Sequence, residues 1–480
     1  MGLTLVNSSI KTSRHHSKRS TLEKRVPTPE VSAKEAIQTW ARIALLSFGG
    51  PAGQIAVMHR LLVEEKRWIS EARFLHALNY CMLLPGPEAH QLAVYIGWLM
   101  HRMRGGIVAG VLFVLPGLIA LGALSWIYAA YGQVTFVSAI FFGIKAVVLA
   151  IVLDALVRIG RRALKSRLLA GIAATAFIGI FLFALPFPLI VLLAGIFGYA
   201  SQTWAPSLFK PAAHGTGKTG GGESALLDAQ FAISIPEHVR PSLRRSIRIA
   251  AFGLALWFAP LLALMLVAGP SNVFTAIAAF NSKMAVVTFG GAYAVLSYMA
   301  QQAVEHFHWL KPDEMLVGLG FAESTPGPLI SVVQFVGFMA AFRQSSMLDP
   351  MLAGTLGGLL AMWCTFVPSF LWIFLGGPYV EALIGNKALN AALSAITAAV
   401  VGVILNLATW LALHTLFGTV MHIERFGLAL NLPVLSSVDW PAAALALAAT
   451  IAIFRFRLGI MTVLAAGCIA GLLMHFAGLL

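Results

Sequence analysis

Residues 47–87, "SFGGPAGQIAVMHRLLVEEKRWISEARFLHALNYCMLLPGP", return without a gap as residues 288–328, "TFGGAYAVLSYMAQQAVEHFHWLKPDEMLVGLGFAESTPGP". Phe48-Gly49-Gly50 matches Phe289-Gly290-Gly291, Trp68 matches Trp309, and Pro85-Gly86-Pro87 matches Pro326-Gly327-Pro328, each pair 241 residues apart. Motifs held in one register over such a stretch mark a tandem duplication. The likeness resumes at an offset of 252. There Phe113 to Pro116 corresponds to Phe366 to Pro368, and Lys145 and Asp154 fall against Thr397 and Asn406. Any fold for this chain must be built from two copies of one unit, and each copy breaks itself twice.

The breaks are informative because of what surrounds them. Of the residues, 59% are hydrophobic and 11% charged, whereas a soluble domain carries about a quarter charged. The apolar residues come in long runs, not in alternation, so they predict membrane helices and not barrel strands. The expected fold is an all-α polytopic integral membrane protein. It has two homologous helical repeats and about 10–13 membrane helices, some broken or re-entrant. A basic tail (1–35), a first repeat (36–201), a polar linker (202–245), a connecting membrane helix (246–271) and a second repeat (272–480) divide the chain. If each repeat crosses an even number of times, the one connecting helix turns the second repeat upside down, giving inverted topology.

Net charge is +14. The cations collect between apolar runs, which fits positive-inside topology in a plasma (inner) membrane with a cytoplasmic N-terminus, not nucleic-acid binding. The loop 60–73 fits poorly. Simple counting puts it outside, and re-entrant neighbours would move it inside. Cys81, Cys364 and Cys468 lie apart in apolar segments, and His306 and His308 have no acid or thiol at ligand spacing, so no disulfide, metal or cofactor is expected. Gly217-Lys218-Thr219 in the linker lacks the strand and helix of a phosphate loop and reads as flexible linker. No motif of an enzyme is present.

Proline removes an amide donor and disfavours helix before it, and glycine tolerates the resulting backbone angles. Pro-Gly-Pro in a membrane segment therefore predicts two half-helices with an unwound joint. Unpaired backbone in hydrocarbon costs several kcal/mol per group, roughly, so the joint must face protein, water or ligand. Half-helix N-termini bring amide donors and partial positive charge to one place, and a small anion is their natural guest. The candidate contacts are Gly49, Gly50, Pro51, Gln54, Pro85, Gly86, Pro87 and Gln91 in the first copy. In the second they are Gly290, Gly291, Thr325, Pro326, Gly327, Pro328 and Gln334. Polar His90, Ser324 and Ser331 lie at the same breaks. Glu88 and Glu323 do not align with each other. A charged carboxylate is no ligand for an anion, so both are candidates for carrying a proton. Lys145 is a candidate anion-attracting cation. It stands nine residues from Asp154, on another face, whereas Asp154 and Arg158 are spaced to pair.

The paired "FGGP" and "LPGP" motifs, the duplication and the basic N-terminus resemble the chromate ion transporter family in its long two-domain form, from about Ile37 to Leu480. The second copy departs at Ala292, where the first has Pro51, so the halves are expected to be unequal. The resemblance implies export of chromate, with protons as the driving partner and chromate resistance as the result. Sulfate, a similar tetrahedral dianion, is the natural relative. Physics alone reaches a small anion and secondary transport. A sulfate or other oxyanion transporter and an uncoupled anion channel stay open, and a homodimer is one assembly open to such a chain.

Overall fold

The structure, a computed structural model, describes residues 31–132, 134–204, 225–233, 236–289, 292–346, 348–380, 386–425 and 428–479. The basic tail to residue 30, the linker stretch 205–224 with Gly217-Lys218-Thr219, and the candidates Gly290 and Gly291 lie outside the described residues.

Helix α1 (Ala33–Leu46) starts at Ser32, whose hydroxyl accepts from Glu35 N, and ends at the first break. Its 14 residues make about 21 Å, less than a bilayer core. After Gly49 in a left-handed conformation, α2 (Gly50–His59) begins with Pro51 in its first turn and runs into a π-turn, Arg60–Glu65. The chain has then come back to where it started: Lys66 pairs with Glu35 at 2.8 Å and Arg42 with Glu65 at 3.1 Å. Helix α3 (Glu71–Leu83) enters again and stops at the Pro-Gly-Pro joint. Helix α4 (Glu88–Tyr131) leaves it and reverses at His101 and Arg102, whose backbone angles are not helical. The short arm 88–100 returns to the first end, where His101 Nε2 lies 2.8 Å from Val31 O. Gly97 and Gly105 leave no room for a Cβ between the two arms. Residues 36–60 and 74–100, open in the sequence between spans and re-entrant segments, are thus parts of two re-entrant hairpins. The loop 60–73 lies at the same end as the start of α1, which corrects the simple count that set it on the other side.

The long arm 103–131, α5 (Thr135–Ala163), α6 (Arg167–Phe183) and α7 (Phe187–Trp204) complete the first repeat. After α8 (Leu226–Ile233), α9 (Leu243–Val267) carries the chain to the second end. There the plan restarts with α10 (Val273–Val287), α11 (Ala292–Gln301), α12 (Pro312–Ser324) and α13 (Val333–Gln344). Long α14 (Pro350–Gly376) follows, then α15 (Lys387–Leu416), α16 (Trp440–Phe454) and α17 (Ile460–Phe476). Even the irregularities are copied. A π-turn recurs at Gln302–His306. Trp309 N bonds Ala303 O as Trp68 N bonds Leu62 O, both at 2.8 Å, and Arg67 and His308 share a φ of 51°. Gly337 and Gly357 repeat the contact of Gly97 and Gly105. Trp126 near the end of α4 donates to Thr355 near the start of α14 at 2.9 Å, and Ser246 at the start of α9 meets Tyr379 beyond α14 at 3.2 Å. The second repeat's hairpins therefore enter from the end opposite to the first repeat's, and the repeats are inverted.

Each repeat also closes the core of the other. Trp40, Trp68 and Phe74 pack with Ile373 and Phe374 of α14, while Leu121 of α4 joins Trp309, Phe321 and Phe335. Helices α5–α7 and α15–α17 interlock through small residues. Gly143 lies on the backbone of Gly467, Gly402 on Ala173 and Gly198 on Ala391, the close approach that binds helices where hydrophobicity cannot. Among the described residues, five helices are long and apolar enough to cross a membrane: α4, α5, α9, α14 and α15. A two-stranded hairpin, β1 (Val420–Arg425) and β2 (Leu428–Pro433), caps the second end and is, among the described residues, the one sheet added to the helical plan.

Helix α8 pins the linker to the first end. Leu226 N and Leu227 N donate to Arg67 O and Trp68 O. Asp228 accepts from Arg73 Nε at 2.7 Å and from Ser70 N at 3.1 Å. Burial alone would raise the Asp228 carboxyl, but the bonds from Arg73 and Ser70 outweigh it and hold it below its ordinary value. This docking is thus fully favoured above the free Asp value, about 3.9. It is lost as pH falls through the lower docked value. A charged hydrogen bond of this kind contributes about 1.5–3 kcal/mol. Asp228→Asn is expected to speed proteolysis within 225–242 about tenfold at neutral pH, and an unchanged cleavage rate would show the pair to be idle.

Candidate functional site

The four breaks meet through one bond made twice. Gly86 N donates to Thr288 O at 2.8 Å, and Gly327 N donates to Ser47 O at 2.9 Å. Donors and acceptors are related by the same 241-residue offset. Each Pro-Gly-Pro joint therefore sits on the first break of the other repeat. Within each joint the glycine holds the one backbone N–H, since proline has none. The φ values, 131° at Gly86 and 109° at Gly327, admit little else than glycine. Both glycine amides are therefore bonded within the protein. The amides left over belong to the helix starts. Neither α2, α4 nor the turn Leu329–Val332 has a side-chain cap, so their first N–H groups lack an intrahelical acceptor, although Ser331 N already bonds Pro328 O at 2.9 Å.

Side chains tie the breaks further. Gln54 Nε2 donates to Gly327 O across the repeats at 2.6 Å, and Gln91 Nε2 donates to Pro85 O at 2.8 Å. Gly117 packs on Pro326 and Gly327, and its counterpart Ser369, 252 residues on, approaches Gly86. Ser369 Oγ also holds His90 Nδ1 at 2.8 Å, and Phe366 and Phe370 pack edge-on to the imidazole. Five buried polar atoms in this region have no partner among the described residues: His90 Nε2, Gln91 Oε1, Glu323 Oε2, Ser331 Oγ and Gln334 Oε1. His90 and Ser331 occupy equivalent positions. Leaving such an atom unsatisfied costs about 1–3 kcal/mol, which argues for a role outside packing.

Residues 34–199 and 275–472 match the family model described as chromate transporter. The chain belongs to the chromate transporter family. A chromate transport protein of Pseudomonas aeruginosa is 32% identical over 382 residues, covering 78% of this chain and 80% of its own length. One of Cupriavidus metallidurans is 26% identical over 436 residues, 89% of this chain and 90% of its own. A probable chromate transport protein of Synechococcus elongatus is 25% identical over 376 residues. No solved structure matches the chain significantly. The two family matches leave out α9, the helix that inverts the second repeat.

The two carboxylates differ in setting. Glu323, 3% exposed, accepts a bond from Tyr293 Oη at 2.6 Å and lies within electrostatic reach of the Asp154–Arg158 pair, itself at 3.6 Å. Glu88 is half-buried at the first position of α4 and has no hydrogen bond or ion pair among the described residues. Thr325 is buried, its N–H bonded to Phe321 O. Lys145 is not at the breaks. It pairs with Asp313 at 2.9 Å beside the start of α12, away from the four breaks. Tyr293 and Ser369 had not been singled out. Both act across elements distant in sequence, and Tyr293 stands where the other copy has Ala52.

Proposed function

We propose that this chain is a secondary active transporter that exports chromate from the cytoplasm, is driven by the proton motive force and so confers chromate resistance. The observation that carries the reading is the reciprocal bond of the two Pro-Gly-Pro joints to the opposite repeat. It gathers uncapped half-helix starts and unpartnered polar atoms at one pseudo-symmetric centre. That centre suits a tetrahedral oxyanion, which presents acceptors in every direction to amide and hydroxyl donors. The family and the printed names of its relatives favour chromate as the cargo. The proposed contacts are the first-turn amides of α2 and α4, His90, Thr325, Ser331 and Gln334.

The end bearing Arg60, Arg67, Arg102, Arg104, Arg161 and Arg162 is taken as cytoplasmic, in a plasma membrane. A dianion leaving a negative interior gains about 4.6 kcal/mol per 100 mV, so the potential alone favours export. A proton adds to this if a carboxyl changes its charge in step. Glu323 is the better candidate, being buried, oriented by Tyr293 and two residues from Thr325. The test is chromate uptake by inside-out vesicles under imposed gradients. Uptake is expected to respond to both the potential and the pH gradient, with sulfate competing. Flux that follows the potential and ignores the pH gradient would instead mark an uncoupled channel. Faster sulfate flux with chromate as the weak competitor would change the cargo.

A further inference from the structure

Tyr293, Ser297, Gln301 and Glu305 succeed one another at four-residue intervals along α11 and the π-turn after it. Such spacing puts them along one side of a helix. The side leads from the central break toward the second end. At the inner end Tyr293 Oη donates to Glu323 Oε1. At the outer end Glu305 Oε1 accepts from Trp410 Nε1 at 3.2 Å, with Gln301, His414 and His422 also acting on that carboxyl. Between them Ser297, Gln301 and Glu305 line a cavity of about 70 Å³, which Asn406 of α15 and the cross-strand pair His422–Asn431 complete. A water needs roughly 10–15 Å³ of such space and two or more polar partners, so the cavity admits several. Its inner wall, Ser297, is four residues, about 6 Å along the helix axis, from Tyr293, which lies beyond the cavity lining. The first repeat has no counterpart: the positions 241 residues earlier are Ala52, Ala56, Arg60 and Glu64, apolar in the inner half. The stripe is therefore not a packing need of the repeat unit.

We propose that this side of α11 is the proton route of the transporter, running from the second end through the Glu305–Ser297 cavity to Tyr293 and Glu323, apart from the anion's own path. The proposal rests on the proton-coupled reading above. The proton on Tyr293 Oη passes to the Glu323 carboxylate as one from the water beside Ser297 replaces it. Tyr293 ends unchanged and Glu323 ends neutral. The Asp154–Arg158 pair, which also acts on Glu323, stands toward the first end and receives the proton next. Anion and proton paths then touch only where Glu323 adjoins the joint at 325–328.

The test uses the full chain in liposomes with Ser297→Cys, a near-isosteric change, and a membrane-impermeant cationic thiol reagent. Added at the second end, the reagent is expected to cut chromate flux driven by a pH gradient at least tenfold. Chromate–chromate exchange without a gradient should stay within twofold, and the parent with Cys81, Cys364 and Cys468 should be unaffected. A thiol at 297 that does not react from that side, or a block that slows exchange equally, overturns the route. Gln301→Cys, one turn outward, repeats the measurement should the first variant fold poorly. Glu323→Gln separates the two levels. If it keeps pH-driven flux, Glu323 is not the proton carrier and the coupling through it on which the route rests fails; if it loses that flux while modification at 297 has no effect, only the route fails.

Discussion

Gly86→Val is expected to reach the membrane in normal amount and to carry chromate at least 100-fold more slowly than the unmodified chain. Hydropathy governs insertion, and the apolar run 74–100 is not weakened by valine. The joint itself does not tolerate the change. At a φ of 131° any Cβ is strained, and a β-branched residue in such a region costs about 1–3 kcal/mol. The added Cβ would also stand 2.7 Å from Gln91 Nε2 and 3.8 Å from Ser369 Oγ. To relieve it, Gln91 must release Pro85 O, or Gly86 N must release Thr288 O, and either frees a buried polar group. The strain and one freed polar group together come to about 2–6 kcal/mol, against the 2.7 kcal/mol or so that a 100-fold effect needs. Gly327→Val should behave alike, since its Cβ would meet the Gly117 Cα at 3.4 Å and Phe113 O at 3.5 Å. Radiotracer flux normalised to membrane-inserted protein decides it. Wild-type flux in Gly86→Val would remove the joints from the mechanism.

Most of the architecture was legible because duplication and chain breaks are written locally. The register of Trp68 with Trp309 and of the two Pro-Gly-Pro runs foretold a copied fold, down to the shared backbone turn at Arg67 and His308. Inversion followed from counting one odd helix, α9. Whether residues 36–100 cross or double back was not legible. A hairpin of half-helices and a pair of spans bury similar residues, and parity is the same for both. Lys66–Glu35 and Arg42–Glu65 decide it, and nothing in the sequence marks those charges as partners. The acceptors of the glycine amides were hidden for a related reason. Thr288 and Ser47 offer backbone carbonyls, which carry no residue signature. The partner of Lys145 was hidden in the same way: depth in a helix was visible and Asp313, 168 positions on, was not a visible neighbour.

Glu323→Gln is expected to abolish the response of chromate flux to a pH gradient while flux driven by the membrane potential persists within a few-fold. Glutamine matches the shape of the protonated acid. Its Oε1 still accepts from Tyr293 Oη, and its amide nitrogen takes the place of Oε2, which has no partner among the described residues. Asp154 and Arg158 keep each other at 3.6 Å, so no unpaired charge is created on that side. The centre thus keeps its form and loses only the capacity to take up and release a proton. Tyr293→Phe removes the hydroxyl that orients the carboxyl, and the Gly50 backbone beside it stays in place. Its pH-driven flux should fall about tenfold with exchange preserved, the size of one lost charge-assisted bond. Glu88→Gln provides the contrast. Glu88 is half-buried, has no donor fixing it among the described residues and aligns with Leu329 in the other copy, so its variant should keep the pH response. Flux measured over a series of imposed pH gradients, at fixed potential, compares all three. A flat profile in Glu88→Gln beside a normal one in Glu323→Gln would move the proton to the first repeat and detach it from the polar stripe of α11.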